Sequence, residues 1–222
     1  VCRLQAKDRV GSRKIPLGIN IGKSKVASIE DAVEDYIGAF DILSPFADFV
    51  TINVSSPNTP ELRKLQGKEY LEGLLRAIRD SDRARSSRTG KRPTPLLVKI
   101  APDLSRKELD CILETILRLE LSGVVATNTT VNRLDGMEQY KEPGGLSGLP
   151  LHKRSSALIK DISRLTEGKL TIIGVGGISD TDTAAATLDS GATLIQLYTG
   201  LVYGGPFLAR EIVAGLKSRK DS

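Results

Sequence analysis

Between residues 53 and 58 the chain reads Asn53-Val54-Ser55-Ser56-Pro57-Asn58, with a carboxamide on either side of the Ser56 hydroxyl and Pro57 restricting the turn. A carboxamide donates and accepts hydrogen bonds at once, so Asn53 and Asn58 suit a planar ligand that carries amide and carboxylate groups. The serine hydroxyl can take up a proton where its surroundings make the conjugate base accessible. The same run also fits a polar turn whose side chains cap a following helix. Thr127-Asn128-Thr129-Thr130 is a second polar cluster at the end of an apolar run, and Asn20 stands at the end of another. Together these favour a planar polar ligand over independent turns.

Two further groups suit a charged ligand. Ile173-Gly174-Val175-Gly176-Gly177-Ile178-Ser179 passes from an apolar run into a helical pattern, and small residues there let backbone N–H groups approach a phosphate. Gly176 and Gly177 are the candidates. The next apolar run ends in Gln196-Leu197-Tyr198-Thr199-Gly200. Either cluster alone also fits a tight turn; at consecutive strand ends they point to phosphate. Lys99 is bracketed by Leu96, Leu97, Val98 and Ile100, and burying an unpaired ammonium is costly, so it must reach solvent or an anion. A structural ion pair would serve. So would the pyrimidine end of a flavin, where positive charge stabilises the negative charge that develops on reduction.

Composition removes several alternatives. His152 is the only histidine, which excludes a Ser/His/Asp triad elsewhere and any multi-histidine metal site. Beside Lys153 and Arg154 it reads as a solvated loop residue. Cys2 and Cys111 are far apart, without metal or redox spacing, and read as free thiols in a reducing compartment. The formal charge of +5 owes much to Arg83, Arg85, Arg88, Lys91 and Arg92. That segment holds no aromatic residue for base stacking and reads as a solvated loop, which argues against nucleic-acid binding. No stretch approaches the roughly 20 apolar residues of a membrane span, and no signal-peptide pattern opens the chain, which reads as soluble.

These residues must be held by regular elements. Apolar runs at 17–20, 49–53, 96–100, 124–128, 171–175 and 194–198 lack clean alternation and read as buried parallel strands. Helical patterns occupy 29–43, 70–78, the segment after Asp103, 156–165, 180–189 and 207–217. In the third of these, Ser105 and Glu108 have capping-box spacing ahead of Leu109, Ile112, Ile116 and Leu119. Strand and helix alternate throughout, which predicts an α/β fold. Polar or glycine residues at the C-terminal ends of the strands favour a (β/α)8 barrel over an open doubly wound sheet. Pro143-Gly144-Gly145-Leu146-Ser147-Gly148 reads as an active-site loop. With 222 residues, against about 250 for a full barrel, a single domain with about six of eight strands is expected.

The combined blocks Pro16-Leu17-Gly18-Ile19-Asn20-Ile21-Gly22-Lys23, Asn53 to Thr59, Val98-Lys99-Ile100-Ala101-Pro102-Asp103, Thr127 to Thr130, Gly144 to Gly148 and Gly174 to Gly177 resemble class 2, quinone-dependent dihydroorotate dehydrogenase in order and spacing. The resemblance runs from about Ile15 to the C-terminal helix. It implies oxidation of dihydroorotate to orotate in pyrimidine biosynthesis, with FMN taking the hydride and a quinone reoxidising it. Ser56 falls at the catalytic-base position, removing the C5 proton. Asn53, Asn58, Asn128 and Thr129 would hold the pyrimidine. Asn20, Asn53, Lys99, Thr127, Gly148, Gly177, Tyr198 and Thr199 would contact FMN, with Ser147 and Gly176 as neighbouring candidates. Serine at the base position separates this chain from the class 1 pattern and from cysteine-based relatives. The family often has glycine where Glu61 stands. Another FMN-dependent pyrimidine oxidoreductase and a noncatalytic scaffold are the competing expectations.

The family also has, ahead of the part seen here, two further strands, an early FMN-binding loop with a substrate-contacting lysine, another substrate-binding asparagine, and a membrane-associated helical region. On that resemblance the chain, which begins at Val1, is expected to be the C-terminal part of a longer enzyme and to bind FMN poorly alone. The complete enzyme is expected at a membrane surface, either the bacterial cell membrane or the mitochondrial inner membrane.

Overall fold

A computed structural model describes residues 15–59, 61–133, 137, 139 and 141–220. Six parallel strands alternate with helices, the element order of a (β/α)8 barrel with six of its strands in this chain. The chain forms two compact units. The first takes in the described residues up to Ser55, those of Thr59–Lys99, and Arg106–Ser122; the second takes in Ser56–Asn58, Ile100–Ser105 and those from Gly123 onward.

In the first unit, β1 (Gly18–Gly22), β2 (Phe49–Asn53) and β3 (Leu96–Ile100) pair in parallel, in chain order. Helices α1 (Ala32–Leu43), α2 (Lys68–Thr89) and α3 (Arg106–Arg118) carry the apolar faces. Tyr36 and Phe40 of α1, Val50 and Ile52 of β2, Leu71, Leu74, Leu75 and Ile78 of α2, and Ile112 and Ile116 of α3 are fully buried. Burying each aliphatic side chain is worth about 1.5–3 kcal/mol, which is what holds the helices on the sheet.

Helix α2 departs from expectation, because it continues through the basic segment to Thr89 and stops at Gly90, whose φ is 67°. The segment read as a solvated loop is therefore helical over Arg83, Arg85 and Arg88. The cause is one buried polar anchor. The Asp82 carboxylate, 2% exposed, accepts from Arg85 Nη2 at 2.6 Å and from the Thr94 backbone N–H at 2.7 Å. This satisfies a charge that helical periodicity places on the inner face.

A 3-10 turn over Leu62–Gln66 begins after Glu61, which has φ 57°. A side chain in the left-handed region costs about 1–2 kcal/mol, the physical reason glycine suits this position. The exposed Glu61 carboxylate pairs with Lys64, which lowers its pKa.

In the second unit, β4 (Gly123–Ala126), β5 (Thr171–Val175) and β6 (Leu194–Gln196) pair in parallel, again in chain order. They are followed by or packed with α4 (His152–Leu165), α5 (Thr181–Asp189), α6 (Thr199–Gly204) and α7 (Leu208–Lys220). All four residues of β4 are buried. Ile178, Ala184, Leu208 and Ile212 form a small core under α5 and α7. Asp180 caps α5 through a reciprocal capping box with Thr183, worth about 1 kcal/mol. His152 is not a solvated loop residue: it opens α4, half-buried, with Nε2 3.0 Å from the Thr183 carbonyl. Cys111 is a free, half-buried thiol within α3, whereas Cys2 lies outside the described residues.

Candidate active site

Within the first unit the parallel register brings Gly22, Asn53 and Lys99 abreast at the C-terminal strand ends. Asn20 lies one layer deeper, level with Thr51. The Asn53 side chain is turned by its neighbour, its Oδ1 accepting from the Ser55 N–H at 3.3 Å and the Ser55 hydroxyl at 3.1 Å. Its backbone carbonyl accepts from the Tyr36 hydroxyl at 2.7 Å. Tyr36 is completely buried, and that burial pushes its phenol well above the ordinary tyrosine range, so it acts as a fixed donor. Sequence patterning marks Tyr36 only as core.

Lys99 is half-buried, and that burial lowers the pKa of its ammonium. Among the described residues no acidic side chain pairs with it, so the structural ion-pair alternative is absent there. An unpartnered, partly dehydrated cation at a strand end is a ready partner for an anionic group.

Within the second unit the groups form two clusters. In the first, the Ser56 hydroxyl accepts from the Asn58 N–H at 3.2 Å, which folds residues 56–58 into a tight polar turn. The Gly144-Gly145 backbone lies directly on it. A Cβ at Gly145 would stand 1.9 Å from Thr129 Oγ1 and 3.0 Å from Pro57 Cγ, and one at Gly144 would be 3.1 Å from Asn58 Oδ1. Only glycine permits this approach. Ser56, Asn58 and Thr129 are thus gathered around one loop. Asn128 is set beside them: its N–H donates to the Ile100 carbonyl at 2.8 Å and its Oδ1 accepts from the Thr129 N–H at 2.8 Å. Thr127 is buried, with its N–H on the Val175 carbonyl and its hydroxyl on the Asn128 carbonyl.

The second cluster surrounds a cavity of about 720 Å³ whose lining includes Ser147, Gly148, Gly177, Ser179, Thr199 and Gly200. Gly148 and Gly177 have φ values of 80° and 71°. The Thr199 hydroxyl donates to Ser147 Oγ at 3.0 Å, linking the 144–148 loop to the start of α6. Gly176, at φ 133°, does not line the cavity but rests on α4, where the Ser155 hydroxyl donates to its carbonyl at 3.0 Å. Tyr198 precedes α6 and is 80% exposed, so its ring is left largely uncovered. Small residues, hydroxyls and free backbone N–H groups are what a phosphate needs.

Behind the first cluster lies a network centred on Asp103, a residue that the sequence places in a motif block without a role of its own. Asp103 receives the Thr130 hydroxyl at 2.5 Å, the Val131 N–H at 3.0 Å and Asn132 Nδ2 at 3.2 Å. Arg154 Nε holds the adjoining Pro102 carbonyl at 2.9 Å. The sequence signal was its place at the end of the Val98 to Asp103 block, three residues past a strand end.

A sequence model of the family described as dihydroorotate dehydrogenase matches residues 3–219. A relative from Thermosynechococcus vestitus named dihydroorotate dehydrogenase (quinone) is 45% identical over 96% of this chain and 59% of its own length. One from Chloroflexus aurantiacus with the same name is 48% identical over 92% of this chain and 57% of its own. The chain thus spans a little under three-fifths of the length of these relatives. A crystal structure of Eimeria tenella DHODH in complex with ferulenol superposes with a TM-score of 0.83 at 36% identity, covering 95% of this chain and 60% of that one. With its strand order, its strand-end polar groups and its glycine loops accounted for, the chain belongs to the dihydroorotate dehydrogenase family.

Proposed function

We propose that this chain carries the base and much of the pyrimidine clamp of a quinone-dependent dihydroorotate dehydrogenase, oxidising dihydroorotate to orotate for pyrimidine synthesis. The observation that supports it best is the gathering of Ser56, Asn58, Asn128 and Thr129 around the Gly144-Gly145 loop. In this reading Ser56 Oγ takes the C5 proton, while Asn53, Asn58, Asn128 and Thr129 hold the ring by its amide and carboxylate edges.

The residues fit FMN on two counts: the unpaired Lys99 ammonium and the glycine- and hydroxyl-lined cavity. Asn20, Asn53 and Lys99 in the first unit would hold it, with Thr127, Ser147, Gly148, Gly176, Gly177, Tyr198 and Thr199 in the second. When bound, FMN supplies the hydride acceptor. Lys99 would place positive charge where the reduced ring becomes negative. Gly177 and Gly148 would let backbone N–H groups approach the phosphate without a side chain intervening.

Quinone is the final acceptor in this reading, reached through a peripheral membrane contact outside the described residues. Among those residues no helix is long and apolar enough to cross a membrane. Both units would belong to one FMN-binding barrel domain.

The test uses the protein that carries this chain, loaded with FMN. Dihydroorotate alone should bleach the flavin anaerobically. Ser56→Ala should retain FMN yet slow that reduction by about 10²–10⁴-fold. Unchanged reduction in the variant removes Ser56 as the base, and bleaching by a different pyrimidine but not by dihydroorotate would reassign the substrate.

A further inference from the structure

Asp103 stands just after β3, outside the groups that would face the pyrimidine, yet it is the most heavily engaged carboxylate near them. Its two oxygens receive a hydroxyl, a backbone N–H and a carboxamide from three consecutive residues, Thr130, Val131 and Asn132. Three donors on one carboxylate restrict all three residues, and charge-assisted bonds of this kind are the strong ones. The carboxylate is itself restrained. Arg154 of α4 lies 3.7 Å from Asp103 Oδ1 while donating to the Pro102 carbonyl.

Thr130 then passes the restraint on in both directions. It directly follows Asn128 and Thr129, and its hydroxyl is the donor nearest Asp103. Through its backbone it forms an isolated antiparallel bridge with Leu146, with N–H to carbonyl distances of 3.1 and 2.7 Å. Leu146 adjoins Gly145, which is pressed against Thr129. Thr130 is completely buried, so neither bond has water as a ready substitute.

We infer that Asp103 is a positioning residue that locks the Asn128–Thr129 clamp and the Gly144–Gly148 loop into one unit. Without it the two would move independently, although the residues that face the ligand are untouched. The inference about positioning stands on the hydrogen-bond network; only its effect on dihydroorotate rests on the proposed function.

The experiment compares wild type, Asp103→Ala, Asp103→Asn and Thr130→Val in the FMN-loaded protein, by amide hydrogen exchange and by stopped-flow flavin reduction with dihydroorotate. Asp103→Ala and Thr130→Val should speed exchange about tenfold or more in both residues 128–133 and residues 144–148, with β5 unchanged. The dihydroorotate concentration for half-maximal reduction should rise by about the same factor while the flavin spectrum stays as in wild type. Asp103→Asn keeps one acceptor for Thr130 and should recover part of both effects. If Asp103→Ala fails to fold, Thr130→Val decides the matter, since it removes a single hydroxyl. Unchanged exchange in the 144–148 loop, or unchanged half-saturation with wild-type flavin readily bleached, overturns the inference. If both segments loosen while dihydroorotate fails to bleach even the wild type, the positioning role stands and the substrate assignment falls.

Discussion

Lys99 shows how one side chain can trade stability against binding. Its half-buried ammonium has no acidic partner among the described residues, and burial lowers its pKa. The folded protein therefore binds that proton less tightly than the unfolded chain. The penalty is fully present below the folded pKa and fades as pH rises through it towards the unfolded value. Lys99→Met should raise the melting temperature of the flavin-free protein by about 2–4 °C at neutral pH, corresponding to roughly 1 kcal/mol, with the gain shrinking at alkaline pH. The same variant should bind FMN more weakly, by about tenfold or more. Thermal melts at two pH values and a flavin titration read both, and a lower melting temperature at neutral pH would contradict the account. Apolar neighbours in the sequence made Lys99 conspicuous. Its lack of a partner could only be seen once the strands were aligned.

At the scale of elements, the turns between them carry the strongest constraints. The turn after β5 is pressed onto the start of α4: a Cβ on Gly177 would lie 2.6 Å from His152 Cβ and 2.8 Å from His152 Cα. Gly177→Ala would add strain at φ 71° and push α4 away, costing about 1–3 kcal/mol. Melting should fall accordingly and FMN retention should drop with it; retained stability with unaltered FMN affinity would show that the turn has slack. Glu61 is the opposite case, a side chain at φ 57° where none is needed. Glu61→Gly should raise stability by up to about 1 kcal/mol, partly offset by the looser unfolded chain and the lost Lys64 pair. Equilibrium unfolding in urea measures it, and a clear loss of stability would mean that the pair outweighs the strain. Apolar periodicity located every strand to within a few residues. It missed the second half of α2, because the anchor that makes a run of arginines helical is the distant contact of Asp82 with Thr94. It missed α6 as well, a helix of six residues, too short for an apolar period to show and with none of its residues buried.

For the whole molecule, the chain spans a little under three-fifths of its relatives' length. In the first unit β1 pairs only with β2, and in the second β6 pairs only with β5, so each unit has a strand with one unpaired edge among the described residues. Leu194 on β6 and Val202, Tyr203 and Phe207 after it are more than half exposed. Unpaired edges beside exposed apolar groups favour self-association. Residues 1–222 expressed alone should therefore retain little FMN and should associate in a concentration-dependent manner. Flavin content after gel filtration and light scattering test this, and a monodisperse chain with stoichiometric FMN would refute it.

The types and spacing of Asn53, Ser56, Asn58, Asn128 and Thr129, and the alternation of apolar runs with helical patterns, were enough to suggest an α/β barrel with a site for a planar polar ligand, because both are written in local order along the chain; the pyrimidine and the flavin came with the family resemblance of the combined blocks. Which glycines are obligatory, why His152 is half-buried against α5, and how Asp103 holds Thr130 through Asn132 were settled only by tertiary structure. Each depends on residues far apart in sequence, where close approach and hydrogen-bond geometry, not composition, determine what a side chain can do.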